Sequence, residues 1–187
     1  VTLTASRVSD LLANPFDYRW TIQGFGMLRT YLDPDEVHRL HIWDTDTAVP
    51  DVSVIHDHPW DFDSRIYSGT VTNQRYTLGG TEGDVVNVAR IKTGEGGGIF
   101  ERRPLGLLAP AEPELIGPGE QYHMDAPELH ESIPSRGCVS VISRKFYTTR
   151  EDQFATVCWR EGDWISAEPR PATRAEIEHF VSLAVSL

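Results

Sequence analysis

The sequence predicts an all-β domain with a short helix near each end, and three observations carry the prediction. Helical periodicity is absent for about 150 residues through the middle of the chain, where apolar residues alternate or fall in short runs. Those runs are cut by segments that favour tight reversals, among them Gly79-Gly80, Gly83-Asp84, the glycine run 94–98, Gly117-Pro118-Gly119 and Ser135-Arg136-Gly137. The chain has 187 residues, enough for one sizeable core and few for two. Residues 1–187 are therefore expected to form one domain, with a β core over about 25–160 and a helix over about 173–186.

The elements follow in order. Val8, Leu11 and Leu12 lie at helical spacing in the stretch 5–13, and Asn14-Pro15 ends that helix. Strand-like runs come next at 26–32, 37–43, 65–68, 70–78 and 85–91, then at 114–116, 120–124, 128–132, 139–144 and 154–159. So many short strands at close spacing imply a barrel or a sandwich. Thr173-Arg174-Ala175-Glu176 is a capping box that opens an apolar stripe of Ile177, Phe180, Val181 and Ala184. That stripe must cover the outside of the sheet or meet another subunit.

Composition excludes several classes of function. Apolar residues make up 40% of the chain and charged residues 24%, and no apolar run approaches the roughly 18 to 20 residues of a membrane span. The first residues lack a basic start followed by an apolar stretch, so no secretory signal is visible and a cytoplasmic location is expected. A net charge of -11, with cations scattered along the chain, argues against nucleic-acid binding. Cys138 and Cys158 sit in apolar settings and read as buried free thiols, with a disulfide between them as the alternative.

The most informative segment is Ile55-His56-Asp57-His58-Pro59-Trp60-Asp61-Phe62-Asp63. On an extended chain, residues i and i+2 share a face, so His56 and His58 can reach one ion if their strand lines a cavity. Asp63 follows five positions later as a candidate carboxylate ligand, and Asp61 is its rival, although an Asp in such a turn often satisfies backbone N–H groups.

These residues resemble the first motif of the cupin superfamily, with His56-x-His58, then Asp63 where the family has Glu, and Gly69 beyond. Gly117-Pro118-Gly119 resembles the start of the second motif, but Tyr122 stands where the family's last histidine would fall. His130 is preferred as the third ligand and His123 competes with it. The phrase His-Asp-His-Pro-Trp-Asp-Phe also looks like a group of small cupin-like proteins of bacteria and phages. Over about 25 to 145, the resemblance implies a double-stranded β-helix, or jelly-roll, barrel and often a homodimer. It also implies a divalent transition metal on His56, His58, His130 and Asp63, with Fe(II) expected and Zn, Ni or Mn also suited to imidazole ligands. The expected function is a mononuclear non-haem Fe(II) oxygenase acting on a small organic molecule. A non-catalytic small-molecule binder and a sugar epimerase or isomerase are the alternatives.

Other polar and aromatic residues have plainer readings. His38 and His41 lie on opposite faces of one strand, so at most one points inward. Trp43, Trp60, Phe62 and Tyr67 can line a pocket, yet core packing explains them as well. Arg65, Arg75 and Arg144 would recognise a carboxylate or phosphate if they faced inward, but Arg65 and Arg75 sit among polar residues that suggest a solvated face. Tyr122 and Tyr147 can each donate a proton, and only their position near the second motif favours them. No catalytic base stands out.

Overall fold

A computed structural model describes residues 5–50, 52–92, 98–145, 154–166 and 168–184. They build two seven-stranded antiparallel sheets and two short helices. The first sheet runs β10 (Gln121–Met124), β5 (Asp61–Ser68), β12 (Val139–Lys145), β3 (His38–Trp43), β2 (Met27–Tyr31), β1 (Thr21–Gln23) and β14 (Arg170–Pro171). The second runs β11 (Leu129–Pro134), β4 (Ile55–His56), β13 (Phe154–Trp159), β7 (Asp84–Lys92), β8 (Ile99–Pro110), β6 (Val71–Leu78) and β9 (Glu114–Ile116). Because β11 pairs with both β4 and β6, the second sheet's hydrogen-bond network returns on itself.

The all-β expectation holds, with four strands added to the predicted runs. β1, β4 and β14 are only two or three residues long, too short to show alternation. β8 is long but carries Arg102, Arg103, Pro104 and Gly106 in its middle, which interrupt the alternation of a strand. Its pairing with β7 shifts register between Val86 and Val88, so Pro104 falls in a bulge where its missing N–H breaks no ladder. β5 starts at Asp61, four residues before the predicted run.

The outer face of the first sheet carries the helices. α1 (Ala5–Ala13) and α2 (Arg174–Leu183) bury Val8, Leu11, Ile177 and Phe180 against Leu28, Leu40, Ile42 and Val141. Thr173 and Glu176 form the predicted capping box, each side chain accepting from the other's backbone N–H. The stripe on α2 is thus covered by the chain's own sheet, which removes the reason it offered for a second subunit. Gly137 (φ 75°) permits this docking, since a Cβ there would stand 2.5 Å from the Leu183 carbonyl oxygen.

Between the sheets lies a second core that holds Trp43, Trp60, Phe62, Ile66, Tyr122 and Ile142. It borders a cavity of about 890 Å³ lined from both sheets. Gly69 (φ 69°) makes the tight turn that carries the chain from β5 to β6, where a Cβ would meet the Cys138 Cα at 2.8 Å. Cys138 and Cys158 are both free and buried in different clusters, and burial pushes each thiol up to about 12. The glycine run expected as a loop lies, except for Gly98, outside the described residues, as do Tyr147 and the last residues of the predicted C-terminal helix.

Candidate metal centre

His58 and Trp60 enter the cavity from the bend between β4 and β5, and Phe62 and Ser64 enter it from one face of β5. β4 belongs to the second sheet and β5 to the first, so the His-x-His segment is the crossover between the sheets. Asp57 turns its carboxylate to the Thr156 N–H at 2.6 Å and anchors the crossover to β13. Burial raises that carboxyl to about 6, against the pull of the Thr156 hydrogen bonds.

The third histidine arrives by strand pairing, because His130 on β11 sits directly opposite His56 on β4. One ligand atom from each of His56, His58 and His130 lies within 4.8 Å of the others. The Nε2 atoms of His58 and His130 are 3.2 Å apart.

Two of the rings have their tautomers set by acceptors. His56 Nδ1 donates to the Val54 carbonyl oxygen at 2.8 Å, and His130 Nδ1 donates to Asn73 Oδ1 at 3.0 Å. Each Nε2 is thereby left with its lone pair directed away from those partners, the form that ligates a metal. Asn73 is fully buried and its amide nitrogen donates to Met124 Sδ, so the acceptor for His130 is itself held in place. His58 stacks on Trp60 at 4.3 Å and meets Phe62 edge-on at 5.1 Å, while His56 stacks on Phe25 at 5.5 Å.

Burial keeps all three rings neutral. It holds His58 and His130 well below the ordinary imidazole range, with further depression from the neighbouring histidines, and it lowers His56 against the Val54 hydrogen bond. Two nitrogens that each stand about 2.0–2.1 Å from a common ion would be about 3 Å apart, so the His58–His130 spacing suits a shared metal. The donor set is three neutral imidazoles with no carboxylate, chemistry that suits Fe(II), Zn, Ni or Cu better than Mg or Ca.

Asp63 does not join this cluster, which corrects its place as a candidate ligand. It has the odd parity on β5, so its side chain leaves the cavity and pairs with His123 Nδ1 at 2.7 Å across the β5–β10 ladder. His123 also bonds Asp125 at 3.0 Å, and these two carboxylates raise the His123 imidazole above its ordinary value. His123 is therefore a half-exposed surface residue, while the structure brings His130 to the inner pair. His123, Asp61 and Asp125 also bring ligand atoms close together, but at the surface.

The remaining candidates separate by face. His41 points inward and is buried, whereas His38 bonds Asp33 at 2.9 Å. Trp43, Trp60, Phe62 and Tyr122 line the cavity, and Tyr67 packs on the helix side. Arg75 bonds Glu128 and the His123 carbonyl oxygen, and Arg65 is exposed. Arg144 departs from the expectation for a strand arginine: it is buried on the cavity wall beside Arg39 and Arg29, two residues that sequence reasoning passed over. Their signal lay in the alternation of β2 and β3, where Arg29 and Tyr31 share a face, as do Arg39, His41 and Trp43.

No family model matches the chain, and no curated protein is similar to it in sequence.

Proposed function

We propose that the chain is a cupin-type jelly-roll barrel that binds one transition-metal ion on His56, His58 and His130 and works as a mononuclear Fe(II)-dependent oxygenase on a small organic molecule. The observation that supports this reading is the convergence of three neutral imidazoles on a cavity of about 890 Å³, a size that admits a small organic substrate. Bound there, Fe(II) would supply electrons for O₂ and coordination positions that three protein ligands leave open. The chain's own residues would do the rest. Val54 and Asn73 orient two of the ligating rings. Trp60, Phe62 and Phe25 wedge the imidazoles and keep bulk water from that side of them.

Metal analysis of untagged protein tests the site. One transition ion per chain is expected, and His56→Ala should lose most of it. Full stoichiometric metal in His56→Ala would refute the assignment. Oxygen uptake tests the chemistry: activity that survives exhaustive chelation, with no gain on adding iron, would exclude the oxygenase. Stoichiometric metal without any O₂ consumption across a substrate panel would leave a small-molecule binder as the better reading.

A further inference from the structure

Three arginines gather on the wall formed by the first sheet: Arg29 from β2, Arg39 from β3 and Arg144 from β12. Arg39 and Arg144 are each 8% exposed, and both guanidinium groups lie over Trp60, at 5.9 and 5.2 Å. Gathering three cations out of water is costly unless anions answer them. Glu36 answers in part, with its carboxylate 3.7 Å from Arg144, but its side chain is 58% exposed. Among the described residues, neither Arg29 nor Arg39 makes an ion pair. Burial and the other two arginines lower Arg39 to about 9, against a hydrogen bond to the Tyr31 side chain.

Each of the three side chains has a hydrogen-bond anchor. Arg29 Nε donates to Thr21 Oγ1 at 3.1 Å, Arg39 Nε to His41 Nε2 at 2.7 Å, and Arg144 Nε to the Glu36 carbonyl oxygen at 2.9 Å. Thus each guanidinium is tethered through its Nε. The Glu36 acceptor is presented by a left-handed backbone (φ 56°), in a loop whose Val37 and His38 amides are tied to the Asp33 carboxylate at 2.8 Å each. A non-glycine residue in that conformation is uncommon and is kept by its surroundings. The chain as a whole carries a charge of -11, so this knot of cations opposes the general field of the molecule.

We infer that Arg29, Arg39 and Arg144 bind the carboxylate of a small organic acid whose apolar body lies along Trp43, Trp60 and Phe62 toward the histidines. Planar guanidinium groups match a carboxylate through paired N–H donors, and the aromatic wall suits an apolar body better than a bare inorganic anion. The histidines are near, since Trp60, which lies under Arg39 and Arg144, stacks on His58 at 4.3 Å. The inference names the substrate class of the proposed metal site and rests on that reading only for the ligand's orientation.

Calorimetric titration of metal-free protein with phenylacetate, phenylacetamide and inorganic phosphate tests the arginines apart from the metal. Phenylacetate should bind at least tenfold more tightly than either of the others. Arg29→Gln and Arg39→Gln should each weaken phenylacetate at least tenfold and leave phenylacetamide unchanged, while Arg65→Gln, on the exposed face of β5, should change nothing. Denaturation midpoints verify that each variant folds, and Arg39→Lys, which keeps the charge, serves if Arg39→Gln does not. Equal binding of acid and amide, binding of phosphate as tight as phenylacetate, no binding of phenylacetate, or unaltered affinity in the folded arginine variants would each overturn the inference. Loss of metal stoichiometry with phenylacetate binding intact would discard the metal reading alone.

Discussion

Asn73 carries a consequence out of proportion to its visibility in the sequence. It lies in a polar stretch of β6 that reads as a solvated face, yet it is fully buried and accepts the Nδ1 proton of His130. Outer partners of this kind set the tautomer and aim of a ligating ring, and their loss typically costs 10–100-fold in metal affinity. Asn73→Ala is accordingly expected to weaken metal binding by about that factor, measured by competition with a chromophoric chelator, with the variant still folded. Affinity equal to wild type would show that the ring is aimed by packing alone. The same scale explains Asp63: one position of parity separates a residue that faces the cavity from one that faces solvent, so a carboxylate at suitable spacing in the chain ended up across from His123 instead.

Local rules account well for the elements. The N-terminal helix, the capping box and ten strand runs were legible because alternation and cap chemistry act over a few residues. β8 was not, since its proline and arginines are accommodated by a bulge that exists only once β7 is alongside. The capping box gives a prediction at this scale. Glu176 accepts from Arg170 and from the Thr173 N–H, which together hold its carboxyl down at about 2. Because the folded value lies below the unfolded one near 4.5, this contribution is present above about pH 4.5 and fades as pH falls toward 2. Thr173→Ala should cost about 1 kcal/mol in chemical denaturation at pH 7. Glu176→Gln should flatten the acid limb of the stability curve between those two values, and an unchanged limb would show that the carboxylate adds nothing there.

At the scale of the molecule, the first sheet is covered differently on its two faces. Helices seal the outer face around Phe180, which is 1% exposed, and the inner face borders the cavity with its histidines and arginines. The helix layer bears directly on the strands that carry Arg39, Arg144 and the inner aromatics. Phe180→Ala should therefore lower global stability by about 3–5 kcal/mol, read as a fall in the denaturation midpoint with an unchanged slope. A loss under about 1 kcal/mol would mean that α2 is peripheral to the core.

The sequence by itself determined the β character of the chain, the presence of the two helices and where the second one starts, and the shared face of His56 and His58, because backbone geometry sets those periodicities within a few residues. Tertiary structure alone chose His130 over His123, turned Asp63 outward and gathered Arg29, Arg39 and Arg144 on one wall. His58 and His130 are 72 positions apart in the chain, and they meet only because β11 finds β4 in one register. That register is decided by which side chains both sheets can bury together, a property of the packed whole that no local spacing encodes.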